Sequence, residues 1–380
     1  MGGIRTNGRQ GAATAKQSLP LLLVVLTVAA ANCVHAQAVP RTDTPRAGTF
    51  RVTFAPVITT WQREFTADGH EQLLGASLPA PIFVREERRV TPLAVEYGVT
   101  NRIALGVYVP IVRVNSRPFF QVDSTGKPVA DSAVQHLDSL LQDTTYAFDP
   151  LIETERRLRY FAGDIELSGK YRFLETHSAA LSAAVVLRLP TGHQDSPNNL
   201  FDIATGDHQT DIELQLAQEI TLFDHLWLNG TIRAARQQRG TRARRIGPAS
   251  TLLLPHASLA VLNWDPGDYV AVDFAPMLRL AEHFGVGFTA GYYTQQRDRY
   301  TYRSPQDSSD VANHLGTPIS ASVLDAGTAI RRTRLGVAMT YLGSAYEGSF
   351  SIEQTVTASG GLVPVATVFR IVMRTSRWPF

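Results

Sequence analysis

The sequence predicts an all-β protein, an up-and-down antiparallel transmembrane β-barrel of about twelve strands. Three observations predict it: a secretory leader, repeated stretches in which apolar and polar side chains alternate, and connections that are short and long by turns.

Arg5, Arg9 and Lys16 precede the apolar run 19–31, no acidic residue stands among them, and Val34 and Ala36 place short side chains where signal peptidase reads. This is the layout of a signal peptide. Residues 1–36 are therefore expected to be removed and 37–380 to form a single outer-membrane domain. The run is shorter than the roughly 20 residues a membrane helix needs. Cys33, the sole cysteine, follows Asn32 where a lipoprotein would carry a small residue, so neither a lipid anchor nor a thiol is expected in the mature chain. Three basic residues and no acids leave with the leader, taking the formal charge from +2 to −1. The basic pI therefore says nothing about nucleic acid. A mature chain without disulfides must hold together by burial or by a closed hydrogen-bonded sheet.

Beyond the leader no stretch offers the roughly 18 uninterrupted apolar residues of a membrane helix. Alternation with period two recurs instead, one face for lipid and one for a polar lumen. In 164–173, Ile165, Leu167, Tyr171 and Phe173 share one face, while Asp164, Glu166, Ser168, Lys170 and Arg172 share the other. Leu93, Val95, Tyr97 and Val99 form an apolar face, and so do Ile103, Leu105, Val107, Val109 and Ile111.

A soluble sandwich also alternates, but its loops are of similar length at both ends. Here short turns at 100–102, 175–178, 223–225, 281–283 and 342–346 alternate with long polar connections near 66–87, 114–157, 191–208, 237–267, 296–327 and 358–364. Outer-membrane barrels have short periplasmic turns, long extracellular loops and both termini in the periplasm. The strands fall near 50–65, 88–99, 103–113, 160–173, 179–190, 209–221, 226–236, 268–280, 284–295, 328–341, 347–357 and 365–380. The apolar segment 251–262 falls in an outer loop in this order; if it and a partner span the membrane, the count is fourteen.

Phe369, Ile371 and Met373 share a face near the end, whereas Trp378 and Phe380 fall on the other parity with Pro379 between them. That switch implies a bulge or a strand end outside the bilayer. The terminal Phe380 is expected to be read by the barrel assembly machinery.

Several short motifs carry a resemblance. Gly163-Asp164 leading into Lys170-Tyr171-Arg172-Phe173, Leu189-Pro190-Thr191-Gly192, Pro266-Gly267-Asp268 before a strand, and Asp325-Ala326-Gly327-Thr328 together resemble the outer-membrane barrels named for the meta-pathway of phenol degradation. The resemblance spans most of 37–380. It implies an outer-membrane transporter of small aromatic or otherwise apolar solutes, without a catalytic motif or cofactor. The family's name implies neither phenol degradation nor an aromatic ligand for this chain.

The topology places the lumen-facing charges by height. Asp164 and Glu166 lie toward the outer end of one strand, Arg188 at the outer end of the next, then Asp211 and Glu213, then Arg233. Arg334, Glu353 and Arg370 form a similar series on the closing strands. Two readings stay open: a charged constriction that selects what passes, or mutually satisfied charges that hold the wall together, since unpaired charges there are costly.

Three outer-loop features complete the inventory. The basic cluster 239–245 faces lipopolysaccharide phosphates or is solvated. Val134, Leu137 and Leu141 stand at helical spacing after the N-cap candidates Asp131 and Ser132, as a helix over the mouth, a partial plug or ordinary packing. His256 and Ser258, two apart, are the residues a lipolytic barrel would use; no Gly-x-Ser-x-Gly, His-Glu-x-x-His or phosphate-binding glycine loop accompanies them. The remaining alternative is a structural or adhesive barrel whose lumen is closed.

Overall fold

The alternating stretches become strands in a computed structural model, which describes residues 41–74, 76, 82–120, 131–150, 159–199, 202–223, 225–248, 253–343 and 346–375. The expected leader and the terminal Trp378 and Phe380 lie outside the described residues. The strands are β1 (Phe50–Phe54 and Val57–Trp61), β2 (Ile82–Gly98), β3 (Ile103–Phe120), β4 (Arg159–Ala162 and Glu166–Glu175), β5 (Ala179–Arg188) and β6 (Asp211–Leu222). They continue as β7 (Leu226–Gln237), β8 (Tyr269–Arg279), β9 (Phe284–Gln295), β10 (Arg331–Leu342), β11 (Tyr346–Ser359) and β12 (Thr367–Thr375).

Each strand pairs antiparallel with the next, and β1 pairs with β12 through Thr53–Arg374 and Val57–Arg370, so the sheet closes. The register is the same on both sides of Pro56, whose missing N–H only interrupts the ladder. Closure leaves no edge strand, the condition for a sheet in lipid.

Burial is inverted relative to a water-soluble protein. Phe288 and Val337 are 69% and 52% exposed, whereas Arg233 and Glu213 are 2% and 1% exposed. The exposed apolar side chains, among them Leu105, Leu167, Leu214, Ile232, Leu335 and Ile371, occupy the outward positions of their strands and form the band that meets lipid tails. No helix among the described residues is long and apolar enough to cross a membrane.

One irregularity re-aims a side chain. Below it β3 pairs with β4 as Tyr108–Glu166, and above it as Ile111–Ala162, a shift of one residue across Gly163–Ile165. Such a bulge switches parity, so Ala162 is exposed while Asp164 is buried. A Cβ at Gly163 would come within 2.8 Å of Pro110 Cγ, which is why glycine stands there.

One open alternative is settled and one expectation is corrected. The apolar segment near 251–262 does not add strands to the barrel: Leu259–Asp265 is the centre of a three-stranded outer sheet, flanked by Gly240–Arg245 and Arg299–Tyr302. Its apolar character serves a local core in which Leu262 and Trp264 pack with Ile246, Tyr300, Val311 and Ala321. The barrel therefore has twelve strands. Secondly, β2 and β3 do not stop near 88 and 113 but pair out to Ile82–Phe120. The run Arg85-Glu-Glu-Arg-Arg89 carries the polarity of a loop because this part of the hairpin rises beyond the roughly ten residues needed to span the bilayer.

The outer elements are tied together by backbone hydrogen bonds. Helix α1 (Asp131–Gln142) forms where helical spacing predicts it, with Leu141 buried; its later turn is held by Phe148 N to Leu141 O (2.8 Å) and His256 N to Thr145 O (2.7 Å). Helix α2 (Pro305–Leu315) begins at a Ser304–Asp307 capping box and ends at left-handed Gly316.

Introducing charge on the lipid face should cost insertion: Val337→Arg, mid-strand in β10, lowers the folding free energy in bilayers by about 2–4 kcal/mol while Val337→Ile is silent. Folding titrations into lipid vesicles check this, and equal stability of the two variants would contradict the outward assignment of β10.

Candidate functional site

The polar parity of the strands converges on the lumen, where guanidinium and carboxylate groups are paired almost strand by strand. Arg188 stands between its neighbours, with Nε 3.1 Å from Glu166 Oε1 and Nη1 2.7 Å from Asp211 Oδ2. On the far side Arg233 Nη2 lies 2.9 Å from Asp273 Oδ2, Arg334 Nη2 3.2 Å from Asp273 Oδ1, and Arg334 Nη1 3.3 Å from Glu353 Oε2. Arg370 Nη1 completes the belt 3.3 Å from Glu353 Oε1. Asp273 and Arg334 meet across β9, which lies between their strands, because Gly291 faces them. A Cβ there would come within 2.9 Å of Asp273 Oδ1. Glu213 accepts hydrogen bonds from the Tyr269 hydroxyl and from Gln215 Nε2.

Asp164 is placed differently from the other charges named from sequence. Its carboxylate accepts the backbone N–H of Gly192 (2.7 Å) and of Asp207 (3.1 Å). The connection between β5 and β6 thereby folds inward over the mouth, where Ile203 packs on Val90 and Val112 and Thr205 Oγ1 donates to Ala162 O at 3.1 Å. Gly192 and Gly206 sit so close to this carboxylate that a Cβ on either would meet it within 2.8 Å.

Sequence reasoning missed Asp273, although its inward parity with Tyr269 and Ala271 was available. It also missed residues 41–47, which carry no periodicity. This segment crosses the periplasmic end of the lumen. Arg41 Nε lies 2.6 Å from Glu219 Oε1 and Arg41 Nη1 3.2 Å from Glu347 Oε1, while the Thr42 N–H donates to Glu219 at 3.0 Å. On the opposite wall Thr44 Oγ1 donates to Asn101 O (2.9 Å) and the Ala47 N–H to Asn101 Oδ1 (3.0 Å). Arg51 pairs with Asp43 at 2.7 Å and with Glu96 at 3.4 Å, and Lys170 with Glu96 at 2.8 Å.

The lumen is thus divided. A cavity of about 490 Å³ lies in the outer half, between the infolded segments 203–207 and 362–364 and the arginines 332, 334 and 370. A smaller space of about 70 Å³ lies below, lined by Arg41, Glu219, Met277, Glu347 and Arg374.

Outside the membrane the basic cluster is used largely inside the protein. Arg242 and Arg244 both pair with Asp195, and Arg245 lies 3.7 Å over the Phe148 ring while donating to the carbonyls of Tyr146, Ala147, Pro197 and Leu254. Burial raises the Asp195 carboxyl, but the two arginines outweigh it and hold the group below the usual carboxylate range. Asp298 shifts the opposite way because burial dominates, despite bonds from Gly267 N and Trp264 Nε1. The Ser258 hydroxyl is committed to Pro255 O (2.7 Å) within its own turn, and His256 is exposed.

This combination, a closed twelve-stranded sheet with an apolar exterior and a charged, partly hollow lumen, defines an outer-membrane-type β-barrel. No protein-family model matches the chain, and no curated protein matches it. Its fold is similar to that of the COG4313 outer-membrane channel from Pseudomonas putida F1, with TM-score 0.55 and 12% identity over 88% of this chain and 97% of the other. The CymD monoaromatic hydrocarbon channel covers 87% of both chains at TM-score 0.35 and 10% identity. The NanC porin covers 84% of this chain and 98% of its own at TM-score 0.35 and 9% identity.

The docking of the N-terminal segment is measurable by hydrogen exchange. Removing the guanidinium in Arg41→Ala should speed exchange at residues 42–48 by about tenfold or more, since a hydrogen-bonded charge contributes roughly 1.5–3 kcal/mol. Unchanged protection in that variant would show that Arg41 does not hold the segment.

Proposed function

We propose that the protein is an outer-membrane channel for small solutes, in which Glu166, Arg188, Arg334 and Arg370 line the cavity a solute enters, and Asp211, Glu213, Arg233 and Glu353 belong to the charged network of the lumen that sets their charge balance. Asp164 acts in it indirectly, by holding the loop over the mouth. The observation that carries this reading is the 490 Å³ cavity, which lies within the size range of small-molecule sites. A barrel built only as a scaffold has no need of such a space. The fold likeness to an outer-membrane channel supports the same reading, as does the resemblance of the short sequence motifs to those of the phenol meta-pathway barrels.

Rings of fixed charge set selectivity because ions and dipoles feel them strongly where water is scarce. Paired charges also cost less than unpaired ones, so the lining holds the wall and tunes passage together. The lower network around Arg41 gives a specific reason to keep a second reading, a structural barrel with a closed lumen.

Liposome swelling separates the two. Wild-type barrels should admit small solutes, and Val368→Trp, which fills the cavity from β12, should slow uptake severalfold without loss of heat-modifiable migration in detergent gels. Vesicles that admit nothing with either protein would favour the closed scaffold.

A further inference from the structure

The lining of the outer cavity has two chemically different parts, which adjoin where Val57 pairs with Arg370. On one, Val57, Val90, Val112, Ile203 and Val368 present hydrocarbon from β1, β2, β3, the infolded loop and β12. On the other, Arg332, Arg334 and Arg370 present guanidinium groups from β10 and β12. Six arginines line the cavity against three carboxylates. Those three are engaged: Asp164 by two backbone N–H groups, Asp207 by the Gln209 N–H at 3.1 Å, and Glu166 by Arg188. The further acids that pair with Arg188, Arg242, Arg334 and Arg370, which are Asp211, Asp195, Asp273 and Glu353, are not among the lining residues.

A space built this way discriminates by both ends of a ligand. A neutral hydrocarbon would leave the arginines facing an apolar body and lose their hydration, which is unfavourable. An inorganic anion would satisfy them but leave the valine wall wet. A cation would meet arginine wherever it approached that side. A molecule with a compact apolar body and one carboxylate satisfies both walls, since guanidinium groups bind carboxylates through paired N–H donors. Arg332 is the residue best placed to read the carboxylate: it lines the cavity and lies 5.5 Å from the centre of the Tyr293 ring, which fixes its side chain against the wall.

Resting on the channel reading above, we infer that the solute class is small monocarboxylates with an apolar body, the carboxylate held by Arg332, Arg334 and Arg370 and the body against the valine wall. Neither the charge ladder nor the fold likeness contains this assignment; it comes from which side chains share one cavity.

The test is calorimetric titration of the full-length mature barrel in detergent with benzoate, benzyl alcohol and benzylamine, three probes of one body and different head groups. Benzoate should bind about tenfold more tightly than benzyl alcohol, as expected for one charge-assisted contact, and benzylamine should bind least. Arg332→Gln should bring benzoate down to the alcohol's affinity, while Arg332→Lys retains the preference in part. Benzyl alcohol binding as well as benzoate, or a full preference surviving in Arg332→Gln, would overturn the assignment. Should the variants fail to fold, the ranking on the wild-type barrel decides alone. Conductance of the same preparation in planar bilayers keeps the two readings apart. A conducting barrel with no benzoate preference refutes the solute class, and a non-conducting one that prefers benzoate refutes the channel while the class stands.

Discussion

The structure depends on pairing guanidinium groups with carboxylates across the inside of a closed sheet. The hydrogen-bonded ladder needs no side chain to span lipid, and the outer face needs only hydrocarbon. The lumen is where the sequence faces a choice, because every second residue points into a confined space. Charged residues there are costly alone and tolerable in pairs. The run Arg233–Asp273–Arg334–Glu353–Arg370 solves this with five side chains from five of the six successive strands β7 to β12, the gap being β9, where Gly291 leaves room for its neighbours to meet.

Everything else in the lumen is arranged about that belt. Above it the bulge at Gly163 turns Ala162 outward while Asp164 keeps the inward parity of Glu166, Asp164 draws down the loop between β5 and β6, and the outer cavity forms beneath. Below it the N-terminal segment spans from Glu219 and Glu347 to Asn101. The two ends differ in how they are held. The upper loop is fixed by backbone N–H groups on the Asp164 carboxylate, by Thr205 on the Ala162 carbonyl and by Ile203 packed on Val90 and Val112. The lower segment is held by ion pairs and hydrogen bonds to several strands.

Much of this architecture was legible in the sequence because lipid imposes a strict rule on spanning strands. Alternation through Ile103–Ile111 and 164–173, with short turns between, located the twelve strands to within a few residues. The rule lapses above the bilayer, so the paired continuation of β2 and β3 through the charged run 85–89 read as a loop, and the apolar segment near 251–262 was ambiguous until its outer-sheet partners were known. Arg188 between two carboxylates followed from parity and topology. The contribution of Gly291 did not, since the absence of a side chain acquires meaning only when the groups on both sides are known. Residues 41–47 were illegible for a related reason: their partners lie on β3's turn, β6 and β11, and nothing local announces them.

The most direct test of the belt is the reversal potential of single barrels under a KCl gradient. Neutralising one member should expose its partner's charge to the permeating ion, so Asp273→Asn should shift selectivity toward anions and Arg334→Gln toward cations, in opposite directions from the wild type. Identical reversal potentials for the three proteins would contradict the claim that this belt governs what crosses the lumen.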